Sequence, residues 1–147
     1  IAELREEVMR NRVIMSFAQK DGIVDQQLLS SLSAMMGPGN FKADAVIIDG
    51  YNFDKAEKAD LELLKEFAKT MNIEIWISAS LKSEENIFDE NDFPVELEGI
   101  KNDVDFIISL RFKDDAIQMK VVKDEKGDVL NDVKLMLDPK TLLIAEK

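Results

Sequence analysis

The sequence predicts an α/β fold with a parallel sheet at its core and antiparallel strands at its carboxyl end. Two observations carry this. The apolar runs AVIID (Ala45 to Asp49) and IEIWISAS (Ile73 to Ser80) flank a segment of helical periodicity, the layout of a β-α-β unit. Beyond Val104 the pattern changes to short strand-like runs separated by turn residues, the layout of a meander. With 147 residues, 46% of them hydrophobic, the chain fits one domain, 1–147, with a single sizeable core.

The elements follow in order. Ile1, Leu4 and Val8 lie at helical spacing with charges between them, so the chain opens on an amphipathic helix. RVIMSFAQ, from Arg12, reads as a short buried strand. Val24, Leu28, Leu32 and Met35 share a helical face after Asp21-Gly22, and Gly37-Pro38-Gly39 stops that helix. The strand ending at Asp49 is followed by a helix expected from Asp54, with an acidic cap three residues before Glu57 and Leu61, Leu64, Ala68 and Met71 on one side. This crossover sets IEIWISAS parallel to AVIID, giving a parallel sheet from Arg12 to Ser80. Both strands are expected to be buried, with Trp76 packed against a helix. Leu81 to Asp92 is acidic and aperiodic, and reads as a mobile, solvated loop over the strand ends. VDFIISLRF, AIQMKVVKD, VKLMLD and TLLIAE then form the antiparallel part, with turns at KDD, EKGD and Asp138-Pro139-Lys140.

Composition narrows the chemistry. Thirty acidic against 19 basic residues give a net charge of -11, and the basic ones are scattered, which disfavours nucleic-acid binding by this chain alone. The absence of cysteine and histidine removes disulfides, thiol nucleophiles, imidazole bases and the usual zinc sites, leaving oxygen-held hard cations. No apolar stretch approaches the roughly 20 residues that span a bilayer, and no signal-peptide layout is present, so no membrane partner and a cytoplasmic location are expected. The first residue, Ile1, fits an excised piece of a longer chain or a start since lost, with functional sequence upstream. Seven methionines read as core filler.

The strongest chemical signal is a polar group at the carboxyl end of each predicted parallel strand: Asp49 before Gly50, and Ser78 and Ser80 in ISAS. In open α/β sheets that edge is where ligands bind. Each residue also has a structural reading, Asp49 as a turn cap and the serines as partners of strand-end backbone. No phosphate-binding loop of the form GxxxxGK(S/T) or GxGxxG occurs in the chain.

The order of acid-ended strand, crossover helix, hydroxyl-ended strand, short helix with a hydrophobic strand (KNDVDFIISLRF) and hairpin MKVVKDEKGD resembles the carboxyl half of the RecA-like ATPase core. The likeness is to the replicative-helicase and KaiC branch, over roughly Ala43 to Ile144. The resemblance implies a RecA-like three-layer sandwich. It implies that Asp49 is the Walker B residue holding the Mg²⁺ of ATP beside Gly50, and that Ser78 or Ser80 is the γ-phosphate sensor. Lys123 would keep part of the role of a hairpin cation that reaches a neighbouring subunit's nucleotide, which implies a homo-oligomer; the alternative for Lys123 is a solvated hairpin charge. Glu125 stands where the family carries arginine, and an anion there cannot stabilise a transferring phosphoryl group. The phosphate loop and the catalytic glutamate, if they exist, lie upstream, so the chain alone is not expected to hydrolyse ATP. DGYN (Asp49 to Asn52) also resembles the opening strand of NYN or PIN-like metal-dependent nucleases, with Asp54, Asp103 and Asp105 as further ligands. The third reading is a degenerate domain serving as a regulator or scaffold.

Overall fold

The structure is a computed structural model that describes residues 2–15, 26–53, 57–81, 87–90, 93–128, 130–141 and 144. It is a mixed α/β fold. In chain order it runs α1 (Ala2–Arg10), α2 (Gln26–Met36), β1 (Ala45–Ile48), α3 (Lys58–Met71), β2 (Glu74–Ile77), a 3-10 helix (Val95–Asp103), β3 (Ile107–Lys113), β4 (Ala116–Lys123) and β5 (Leu130–Leu137). β1 and β2 form a parallel pair, and β3, β4 and β5 form an antiparallel sheet in that order.

The β-α-β unit forms as its periodicity predicts. β1 pairs in parallel with β2, Ala45 opposite Glu74 through Ile48 opposite Ile77. α3 is capped at its end by Asn72 in the left-handed conformation and at its start by Glu57, whose backbone N–H donates to the Asp60 carboxylate at 3.3 Å. That cap lies three residues beyond the predicted Asp54, which is outside the described residues. Leu61 and Leu64 are buried, with Leu63 and Phe67 packed beside them. They meet Leu28, Leu29 and Leu32 of α2, Ile48 of β1, and Tyr51 in the main core, where each large aliphatic side chain contributes roughly 1.5–3 kcal/mol by leaving water. Leu28 and Leu32 are two of the residues predicted for the inner face of α2; Val24 falls outside the described residues.

Among the described residues the helices cover only one face of the parallel pair. Val46, Ile48, Ile75 and Ile77 turn toward the core, while Ile47 and Trp76 are 75% and 44% exposed. Trp76 therefore lies on the open face and donates its indole N–H to Glu74 at 3.1 Å, instead of packing against a helix. Residues 12–15 of the predicted strand RVIMSFAQ are irregular and exposed, and 16–19 lie outside the described residues. Among the described residues the parallel sheet thus has two strands, and residues 12–15 are not part of it. An apolar run becomes a strand only where an edge accepts its backbone hydrogen bonds, and periodicity carries no information about that edge. α1 forms, but its described side chains are all exposed.

The antiparallel strands make a separate sheet rather than an extension of the parallel one. Phe93, Ile107 and Val122 form a second, smaller core beneath it, with Leu97 and Val104 alongside. TLLIAE contributes one bridge, Leu137 to Ile144, and not a fourth strand among the described residues. Within the predicted mobile loop, Phe88 forms a bridge with Pro94, and the Asp89 carboxylate accepts the Phe93 N–H at 2.8 Å. The 3-10 helix joins the two halves: Ile100 packs on the main core, and Asp103 and Asp105 pair with Lys58 and Lys65 of α3 at 3.6 and 3.7 Å. No helix of the described residues is long and apolar enough to cross a membrane.

The β3–β4 hairpin turns through Asp114 and Asp115, with φ of 51° and 59°. A two-residue turn with both φ values positive matches the twist of its strands, and glycine favours its second position. Asp115→Gly is expected to stabilise the protein by about 0.5–1 kcal/mol, read as a higher midpoint in urea unfolding with an unchanged slope.

Candidate functional site

Asp49 follows β1 directly and Ser78 follows β2, so the parallel register brings them opposite each other. The ladder continues past both strands: the Ser78 N–H donates to the Ile48 carbonyl, and the Tyr51 N–H to the Ser78 carbonyl, each at 2.9 Å. The Ser78 hydroxyl donates to an Asp49 carboxylate oxygen and accepts the Gly50 N–H at 3.3 Å. Asp49, Gly50 and Ser78 are thus one hydrogen-bonded corner, exposed to solvent. Gly50 has φ of 75°, a conformation that glycine adopts without steric penalty. It lets the chain turn so that Asp49 stays outside while Tyr51, 3% exposed, enters the core and meets Phe53 edge to face at 4.9 Å between centroids.

Strand alternation places Asp49 and Ser78 on the same face as Ile47 and Trp76. A carboxylate and a hydroxyl therefore stand next to an exposed aliphatic-aromatic pair, about 7 Å away along the strands. That open face was the feature missed in the sequence. Its signal was Glu74, which shares the side of Trp76 and marks it as the solvent side.

The remaining predicted site residues are not gathered here. Ser80 is exposed beyond the corner. Lys123 ends β4 in the other sheet; it is 8% exposed and its ammonium donates to the Val104 carbonyl, so it is not a solvated hairpin charge. The predicted turn after it is organised by Asp124, whose carboxylate accepts the N–H groups of Lys126 and Asp128 at 2.9 and 2.8 Å. Asp103 and Asp105, offered as nuclease ligands beside Asp49, face the lysines of α3. Among the described residues no three acidic side chains come together as a metal cage. The donors at the corner are hard oxygens from one carboxylate and one hydroxyl, which suit a Mg²⁺ ion that keeps most of its waters and takes further oxygens from phosphate.

Under the corner, burial and the neighbouring Asp60 charge push the Tyr51 phenol above its ordinary value. The unfolded phenol ionises near pH 10, while the folded one stays neutral to higher pH. Ionisation then favours the unfolded chain, so stability falls as pH rises above about 10. Tyr51 is the sole tyrosine, and its phenolate absorbance should titrate later in the folded protein than in urea. Ser78→Ala removes the link between the two strand ends and is expected to cost about 0.5–1.5 kcal/mol in urea unfolding, with Ser80→Ala within about 0.5 kcal/mol of the parent.

No family model matches this sequence, and no curated protein or solved structure matches it; the chemistry of the corner is to be inferred from its own residues.

Proposed function

We propose that the chain is a nucleotide-linked domain of RecA-like descent, in which Asp49 engages the magnesium of a bound nucleotide and Ser78 orients the carboxylate. The carrying observation is the exposed Asp49–Ser78 couple at the carboxyl ends of two parallel strands, in register with the Ile47–Trp76 pair on the same face. A metal-bound phosphate at Asp49 would leave the base within reach of Trp76, where stacking on an aromatic surface contributes roughly 1–3 kcal/mol.

Each residue has a limited task in this reading. Asp49 supplies a charged oxygen ligand. Ser78 donates a hydrogen bond to Asp49 and is a positioning residue, fixing which carboxylate oxygen remains available. When bound, magnesium would neutralise phosphate charge. Lys123 is held by Val104 and is not assigned to the nucleotide. With no phosphate-binding loop and no arginine at the hairpin, the expected activity is weak binding rather than hydrolysis, which fits a regulatory or assembly role. Less favours the nuclease reading: Asp103 and Asp105 face Lys58 and Lys65 of α3, and Asp54, its third ligand, lies outside the described residues.

The test is calorimetric titration of Mg-ATP, followed in parallel by the fluorescence of Trp76, the sole tryptophan. A dissociation constant approaching about 1 mM is expected, with quenching of Trp76, at least tenfold weakening in Asp49→Ala or without Mg²⁺, and no phosphate release. No binding at several times that concentration, or equal binding by Asp49→Ala, would refute the proposal.

A further inference from the structure

The antiparallel sheet carries a second open face, larger than that of the parallel pair. Ile108, Leu110 and Phe112 of β3 lie opposite Val121, Met119 and Ile117 of β4, and antiparallel partners share a face. Leu135 and Leu137 of β5 continue the two inner rows. Every one of these positions is apolar. Leu110 and Phe112 are 62% and 70% exposed, and Phe106, in phase with them just before β3, is 46% exposed. The polar residues of the hairpin belong to the opposite side, where Ser109 pairs with Lys120 and Arg111 with Gln118.

We infer that this face is an interface between two copies of the chain, packed sheet on sheet about a twofold axis. Area supports this occupant. At roughly 150–250 Å² for a large side chain, the exposed and half-exposed residues of the face offer on the order of 600 Å² per copy, so two copies bury about 1,200 Å², the lower bound of a specific interface. Dimensions support it too. The face runs about 23 Å along its strands, whereas the open apolar stripe of α1 is about 13 Å long and covers little more than half of it. A second copy of the same face matches it in length, width and period, and aligned sheets pack in this way about 10 Å apart.

Charge favours the same choice. The chain carries -11 overall, yet the stretch Ile107 to Lys123 holds Arg111, Lys113, Lys120 and Lys123 against Asp114 and Asp115, a local excess of two positive charges. Two copies meeting there put no like charges in direct contact, since the described positions of the contacting face are all uncharged and the cations stand on the opposite side or, for Lys123, in the core. The residual repulsion between two acidic bodies is long-range, so added salt should strengthen the dimer.

Sedimentation velocity of the chain at low and high salt, with Leu110→Glu and Val8→Glu, tests the inference. The expected result is a dimer at concentrations on the order of 100 µM, tightened by salt. Leu110→Glu should weaken it at least tenfold while keeping the circular dichroism of the parent, and Val8→Glu on α1 should leave it intact. Phe112→Lys, at the most exposed position of the face, supplies the same reading should Leu110→Glu fail to fold. A monomer at every concentration and salt overturns the inference. So does a dimer that survives both substitutions on β3 or is lost only with Val8→Glu.

Discussion

The rest of the structure depends on the burial of one side of a two-stranded parallel ladder. Val46, Ile48, Ile75 and Ile77 alternate with outward residues, and α2 and α3 contribute leucines to the core that receives them. Two strands alone are marginal in water, and it is the helical leucines that hold the pair in register. That register places Asp49 against Ser78 and leaves Ile47 and Trp76 uncovered. Core and candidate site are two faces of one ladder, so a slip by one residue would exchange them.

Polar groups close the places where this small core cannot. The Asp49–Ser78–Gly50 corner ties the strand ends together, Asp60 caps α3, and Asp103 at the end of the 3-10 helix and Asp105 just beyond it pair with lysines of α3. Lys123 plays a related part in the second core, where its ammonium satisfies the Val104 carbonyl just ahead of β3. Exposed pairs such as Lys65 with Asp105 contribute little individually, at most about 1 kcal/mol. Their effect is on placement, since Ile100 of the 3-10 helix is the apolar residue that bridges to the main core.

The local grammar was legible. The helix at α2 was marked by Leu28 and Leu32 at one-turn spacing and by the Gly37-Pro38-Gly39 stop, and the hairpin at β3–β4 by apolar alternation around Asp114-Asp115. The opposition of Asp49 and Ser78 followed from placing two apolar runs in parallel across a helix. Partnership was harder to read. Val13 and Ile14 have the composition of a strand and are exposed, because no sheet edge receives them among the described residues. Trp76 has the size of a core residue, yet strand phase assigns it to the side of Glu74.

The sequence by itself determined that α2 and α3 are helical and β1 to β4 extended, which carboxylate and hydroxyl end the parallel strands, and that a phosphate-binding loop and imidazole or thiol chemistry are absent from this chain. Only the tertiary structure decided that the strands divide into two sheets, that the helices cover one face of the parallel pair, and that Lys123 is buried against Val104. The physical reason is range. Backbone conformation and side-chain phase are set by neighbours a few residues apart, whereas sheet membership and burial depend on which distant surface arrives to exclude water.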